Sequence, residues 1–451
     1  MELCLKSNES GVYILGGGPA GLAVGYFAAK LGLQFTIIEG GPEVGGNCRT
    51  LQMGDFLIDT GAHRLHDKDP KVTKEIRQLL GCDLLEVDSP SMIFLKDRYF
   101  NFPLDLGNMF NTLDHRNLFK IVVDNILWKR LKAPAENFTD LAVKRYGKTL
   151  SELFLLNYSR KLWGVNPRNL CKDVSGGRLR GLNLSLLIRE TFLGKVGSPE
   201  HLDGNFLYPK YGFGMIVNTM AKSIGVDRIK VGSRVSKLLH DGKRIRRIFY
   251  NNNTEIDVST VVNTLPLPLS VKLLDPQPSS ELIAAADAIK YRNIILCVIA
   301  LKRPFFTQNA TIYFPSVEFP FTRIYEPKNR SIHMAPQDQT AIVIELPCFE
   351  RDPIWSTSDE ELFSLVWRPL QNFMALDKSE VIWSRVYKLP FAYPVLEIEA
   401  MQYVEKLSAY FSQFENVKST GRSALFRYVH LHDLIAAGSD MAHELASSIN
   451  K

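Results

Sequence analysis

The chain has 451 residues, 45% hydrophobic and 23% charged, with a formal net charge of +6. That is the balance of a globular protein with room for two or three domains; a weak basic excess without a long Lys/Arg run argues against a nucleic-acid platform and suits a small, anionic organic substrate equally well. No apolar stretch is long enough to span a bilayer, the opening MELCLKSNES lacks the apolar core of a signal peptide, and the six cysteines never form C-x-x-C, so the expectation is a cytoplasmic protein with no metal site and no disulfide framework.

In chain order, GVYILG reads as a short buried strand. PAGLAVGYFAAKLG follows as a helix, with Pro19 in its first turn and Gly32 near its end, and QFTIIEG is a second strand. Gly16, Gly18 and Gly21 fill the G-x-G-x-x-G positions of this βαβ unit. The first glycine permits the tight turn, the second lets backbone approach a pyrophosphate at the positive end of the helix, and the third lets helix and strand pack closely. Pro19 and Ala20, opening the helix, are read as part of the same contact. Glu39 ends the second strand, where a carboxylate accepts hydrogen bonds from ribose hydroxyls. The unit predicts a dinucleotide site.

Residues 71–204 then read as mostly helical, with apolar residues at helical spacing in FKIVVDNILWKRL and SELFLLNYSRKLWG, and residues 271–380 as strand-rich, in NIILCVIALKR and TAIVIEL. HRNLFKIVVDNILWKRLKAP, from His115, is amphipathic and basic; a core-facing helix with a solvated face is preferred to a membrane-surface helix, so peripheral membrane contact is the minor expectation.

GPEVGGNCRT, directly after the second strand, places Gly45, Gly46, Asn47 and Arg49 where they resemble the second signature of the flavoprotein family that includes amine oxidases, protoporphyrinogen oxidases and UDP-galactopyranose mutases. Bare backbone there admits a diphosphate, and a cation offsets its charge. The resemblance continues through FLIDTGAHRLHDKDP (Gly61, Ala62, His63, His66), NYSRKLWGVNP (Tyr158, Trp163), FLYPKYGFGMIVNTMAKSI, GSRVSKLL (Val235), LPFAYPVLEIEA and STGRSALFRYVHLHDL (Arg422, Arg427, Tyr428, Asp433).

This resemblance implies an α/β protein: a Rossmann-like FAD-binding domain of the amine-oxidase type with an inserted α+β substrate domain. The flavin domain takes residues 1–70, 205–270 and 381–451; the substrate domain takes 71–204 and 271–380. A pocket between them is the default active site. FAD is expected to bind without a covalent link, on the glycines, Glu39, Arg49, the Gly61–His63 turn, the Val235 backbone, Arg422 and Asp433. His63, Tyr428 and Trp163 are the catalytic candidates, although a large aromatic such as Trp163 is as readily a core residue. His66, Tyr158, Arg178, Arg180 and Arg427 are the substrate candidates, the arginines because a guanidinium donates to anions in a planar fork. For Arg178 and Arg180 an exposed, unspecific position is the preferred reading.

Three functions follow from the resemblance. The first is an FAD-dependent oxidoreductase acting on a small substrate through flavin N5. The second is a mutase interconverting pyranose and furanose forms of a nucleotide sugar with reduced FAD. The third is a flavin-binding protein without catalysis. The oxidoreductase is favoured because Phe426 stands where the mutases often carry a tyrosine. A homodimer is compatible with the sequence.

Overall fold

The computed structural model describes residues 11–128, 134–175, 205–251, 254–374 and 376–449. The chain forms two compact units. The first joins the chain up to Cys48, Ile216–Ile289 and the chain from Ala400 onward; the second joins Arg49–Met215 and Lys290–Glu399. Strands are numbered along the chain.

In the first unit β1 (Val12–Leu15) pairs in parallel with β2 (Phe35–Ile38) and β13 (Thr260–Asn263). With β9 (Ile229–Lys230) and β20 (Val417–Ser419) they make a five-stranded parallel sheet of order β20-β13-β1-β2-β9. Short apolar strands with no polar alternation demand cover on both faces. The helix Pro19–Lys30 supplies it on one face, burying Leu22, Ala23, Val24 and Ala28. Its outer side meets the C-terminal helix Leu431–Ile449, where a Cβ on Gly438 would lie 2.5 Å from that of Ala23, so two small residues set a close crossing. A second sheet, order β12-β11-β10-β14, combines β10 (Val235–His240), β11 (Ile245–Tyr250), β12 (Thr254–Asp257) and β14 (Leu274–Asp275). This is the Rossmann-like architecture the βαβ pattern predicts.

The second unit is built on a seven-stranded sheet, order β19-β15-β18-β17-β16-β6-β7. Its strands are β6 (Ser91–Leu95), β7 (Arg98–Phe102), β15 (Tyr291–Leu301), β16 (Thr311–Tyr313), β17 (Arg323–Tyr325), β18 (Thr340–Cys348) and β19 (Val381–Pro394). The mostly helical segment thus also contributes strands: β6 and β7 complete this sheet, and β5 (Leu84–Asp88) pairs with β8 (Asn205–Pro209). One face is aliphatic. Ile295, Cys297, Ile299, Ile324, Ile342 and Ile344 pack with Leu362, Val366, Leu370 and Phe373 of the helix Asp359–Phe373. That helix begins with a reciprocal Ser358–Glu361 capping box, satisfying two end donors.

A two-stranded hairpin, β3 (Thr50–Met53) and β4 (Phe56–Asp59), belongs to the same unit. Asp59 is 1% exposed. Its carboxylate accepts from Thr50 Oγ1 at 2.6 Å, from the Phe213 backbone N–H at 2.9 Å and from Tyr208 Oη, while its carbonyl accepts from Tyr325 Oη at 2.8 Å. Burial nevertheless raises the Asp59 carboxyl above the usual range, and these hydrogen bonds oppose it. The glycines of YPKYGFG answer the same contact: a Cβ on Gly212 would stand 2.4 Å from Thr50 Oγ1, and one on Gly214 would stand 2.5 Å from the Thr50 backbone nitrogen. The D-x-G-x-H and Y-P-x-x-G-x-G segments are therefore one interlock.

On the helix His115–Trp128, Ile121 is buried while Phe119 and Val122 are 71% and 51% exposed, so only part of its apolar surface faces the core. Among the described residues no helix is long and apolar enough to cross a membrane.

Candidate functional site

The first unit carries a cradle of bare backbone. Gly16 turns at φ +103°, and Gly21 admits no side chain, because a Cβ there would lie 1.9 Å from the Gly16 carbonyl oxygen. The helix behind them starts at Gly18 with Pro19 in its first turn, no side-chain cap and no acid in that turn, so its end N–H groups are not taken by a capping side chain. The Gly45–Gly46 pair lies against this loop: Gly45 N–H donates to the Gly17 carbonyl at 2.8 Å, and a Cβ on Gly46, itself at φ +51°, would approach Gly18 Cα to 3.2 Å. The Gly421 turn closes the other side, at φ +100°, with no room for a Cβ beside Ala20.

Glu39 joins these loops. Oε2 accepts from Gly17 N–H at 2.6 Å and Oε1 from Gly41 N–H at 2.7 Å. A carboxylate has about four lone-pair sites, so two acceptor positions remain for ribose hydroxyls. The donor-lined helix start, the bare backbone and this carboxylate fit a dinucleotide cofactor. Asn47 stands half-buried in the same turn, and Val235 opens β10 with a bulge before Lys237.

The G-R turn behaves differently from expectation. Arg422 donates through Nε and Nη2 to the Val429 carbonyl, at 3.2 and 2.7 Å, and its guanidinium lies 5.0 Å over the Tyr428 ring. It braces its own turn. Arg427 is exposed. Phe426 is 1% exposed with φ 49°, so it is a core residue in a left-handed position, and its missing hydroxyl no longer speaks against a mutase. Asp433 accepts from the His430 backbone at 2.8 Å and meets His432 Nε2 at 3.2 Å. Burial pushes its carboxyl up, but the His432 and His430 hydrogen bonds outweigh this and take it down to about 2.

In the second unit, the Gly61–His63 turn closes with a His63 N–H bond to the Gly61 carbonyl at 2.8 Å. The His63 ring stacks on Phe213, 4.9 Å between centroids, and a Cβ on Gly61 would touch it at 3.1 Å; Ala62 is half-buried between them. His66 meets Phe206 edge-on at 6.2 Å. Arg49 hydrogen-bonds Tyr387 Oη, so its cation stands on a tyrosine of β19. Trp163 is 4% exposed and packs edge-on against Tyr393, the core role weighed for it above. Arg178 and Arg180 lie outside the described residues.

The strongest feature of this unit is one that the sequence did not single out. Opposite the aliphatic face, strand register sets Ile93, Tyr313, Arg323, Glu345, Leu296 and Tyr387 in one row across six strands. Arg323 Nε donates to Glu345 Oε2 at 2.5 Å, and Arg323 Nη2 reaches Tyr393 Oη at 3.4 Å. Tyr158 stands edge-on to Tyr313 at 5.8 Å. Burial, the largest influence, raises the Tyr158 hydroxyl well above its ordinary value, so it stays a donor through the physiological range. Glu345 is 1% exposed, and its Oε1 has no hydrogen-bond partner among the described residues. A buried acceptor left open costs free energy unless a ligand supplies the donor. The missed signal was a charge inside a strand, Arg323 in FTRIYEP and Glu345 in AIVIELPC.

The helix Asn157–Trp163 is clamped against this face. Lys161 Nζ donates to the carbonyls of Phe314, Ser316 and Phe321 at 2.7, 2.8 and 2.7 Å, although burial draws its ammonium down to about 7. Arg292, buried in β15, donates to the carbonyls of Leu162 at 3.0 Å and Lys161 at 3.2 Å. Gly164 caps the helix in the left-handed region, and a Cβ there would lie 2.5 Å from the Arg292 guanidinium, so both conformation and space call for glycine. The K-L-W-G motif thus fixes Tyr158 beside Arg323.

A Rossmann-type cradle in one unit and a polar face on a mixed, mostly antiparallel sheet in the other are the arrangement of a two-unit enzyme fold. Residues 19–394 match the profile of the family described as flavin containing amine oxidoreductase, and the chain belongs to this family of flavin enzymes, with FAD as cofactor. It is 20% identical to coproporphyrinogen III oxidase of Bacillus subtilis, over 96% of this chain and 97% of that one. Its fold is similar to that of reduced UDP-galactopyranose mutase, with a TM-score of 0.85 at 17% identity, covering 97% of this chain and 96% of the other. It is also similar to cyclohexylamine oxidase of Brevibacterium oxydans, with a TM-score of 0.69 at 12% identity, covering 98% and 100%.

Proposed function

We propose that the protein oxidises a small organic substrate, with FAD held without a covalent bond on Gly16, Gly18, Gly21, Glu39, Gly45 and Gly46, and the substrate on the face lined by Tyr158, Tyr313, Arg323 and Glu345. The observation that carries this reading is the open Glu345 Oε1 beside Arg323, an ion pair arranged to receive a hydrogen-bond donor. FAD, when bound, supplies two-electron acceptance. Glu345 and Arg323 orient the substrate, the Tyr158 hydroxyl donates to it, and the surrounding rings exclude water. His63 is the histidine proposed to contact cofactor or substrate. The family profile, an amine oxidoreductase, favours this reading.

The mutase is the second reading, supported by the similarity to reduced UDP-galactopyranose mutase and by the burial of Phe426. Redox state separates the two. The FAD-loaded protein is offered amines and reduced tetrapyrroles aerobically, and UDP- and dTDP-hexopyranoses after anaerobic reduction. Bleaching of the flavin with consumption of one acceptor per turnover is expected. Catalytic furanose formation that stops on reoxidation would overturn the oxidoreductase. Denaturation and filtration should release the yellow cofactor; colour retained on the chain would overturn non-covalent binding.

A further inference from the structure

We infer that the second unit carries a carboxylate-binding site formed by Arg330, Arg64 and Thr311, beside the proposed substrate face. Arg330 is 2% exposed. Its Nη2 donates to the Ala310 carbonyl at 3.1 Å and to Thr311 Oγ1 at 3.0 Å, but its Nε and Nη1 have no hydrogen-bond partner among the described residues. Arg64 reaches the same hydroxyl through Nη2, at 3.3 Å, and also Ser91 Oγ. Two guanidinium groups therefore share one threonine oxygen. A hydroxyl has two lone pairs and one proton; with both lone pairs taken, its proton remains to be donated.

Arg330 is short of acceptors among the described residues. Asp59 is the acid whose charge acts on Arg330, but it already accepts from Thr50, Tyr208 and Phe213. The Tyr325 ring, 4.9 Å beneath the guanidinium, offers only its π face, since its hydroxyl serves the Asp59 carbonyl. Glu326 is taken by Phe306, Thr307, Asn329 and Thr340. A buried cation with two unmade hydrogen bonds is best satisfied by an anionic acceptor, and a guanidinium edge matches a carboxylate in a planar fork. Register places the site: Thr311 and Tyr313 are on one face of β16, two residues apart, so the carboxylate would lie about 7 Å along the strand from the Arg323 row. One short molecule spans both. The site stands on its own geometry; that its occupant is the substrate, a small organic acid with a hydroxyl or amine at the other end, rests on the function proposed above.

The test is calorimetric titration of the full-length, FAD-loaded, oxidised protein with acetate, propionate and benzoate against acetamide, propionamide and benzamide. Carboxylates are expected to bind and the amides not. Arg64→Gln and Thr311→Val, each checked for native flavin content, should weaken carboxylate binding roughly ten- to a hundredfold. A crystal structure at carboxylate saturation should place its oxygens on Arg330 Nε and Nη1. No binding to the wild type, equal binding of amides, affinities unchanged in both variants, or a water on those two atoms at saturation would each overturn the site. Because no turnover is read, failure of the oxidoreductase reading leaves this result unaffected, and the reverse also holds.

Discussion

The glycine cradle, where we propose that the cofactor sits, and the polar sheet face, where we propose that the substrate sits, are built in opposite ways. The cradle is made of backbone: its glycines matter for the side chain they lack, and most of its parts fall between Gly16 and Gly46. The polar face is made of side chains: sheet register brings Tyr313, Arg323, Glu345 and Tyr387 into one row, and a clamped helix adds Tyr158. In the first, Gly16 and Gly21 leave no room for an added atom; the second depends on the charges of Arg323 and Glu345.

Substitutions can break that contrast. Gly21→Ala should have the largest effect, because its Cβ would strike the Gly16 carbonyl at 1.9 Å and backbone cannot step aside. We expect a loss above about 3 kcal/mol, with colourless protein on purification. If the variant keeps its flavin and melts like the wild type, the Gly16–Gly21 contact does not exclude a side chain. Asp59→Ala should cost about 3 kcal/mol or more in urea unfolding, since it strands the buried donors of Thr50, Tyr208 and Phe213. An unchanged midpoint would remove Asp59 from the interlock.

Smaller effects sharpen the comparison. Gly32 is left-handed too, at φ +73°, but meets nothing within 4 Å, so Gly32→Ala should cost only about 1 kcal/mol by thermal unfolding and retain its flavin. Gly21 is helical and carries no such strain, so a loss equal to that of Gly21→Ala would show that close approach is not what makes Gly21→Ala costly. The smallest effect is that of Asp433. Its folded-state carboxyl lies near 2, below the ordinary value of 3.8. The stabilisation it lends the start of the C-terminal helix is therefore fully present above about pH 4 and lost as pH falls through 2. The melting difference between wild type and Asp433→Asn should shrink across that interval; a constant difference would contradict the assignment.

The βαβ unit and its glycine geometry were legible because they are local. Gly16, Gly18, Gly21 and Glu39 lie in one βαβ pattern, and the turn and close approach that each requires follow from residue type. The polar face was not. Arg323 and Glu345 are twenty-two positions apart and meet only because β17 and β18 pair in one register, which no local period encodes. Arg422 shows the converse limit: a motif position was readable, but its guanidinium turns back on Val429. Tyr158 was read from its motif, while the Lys161 and Arg292 clamp that holds it required carbonyls from separate loops.

The division between cradle and face is tested most directly by FAD affinity, measured side by side for Glu39→Ala and Glu345→Gln. Glu39→Ala removes the carboxylate that holds Gly17 and Gly41, and should weaken FAD binding by about 1.5–3 kcal/mol, roughly ten- to a hundredfold. Glu345→Gln alters the other unit and should leave the FAD dissociation constant within about twofold of wild type, well under 1 kcal/mol. Equal losses in both variants, or a loss confined to Glu345→Gln, would contradict the account.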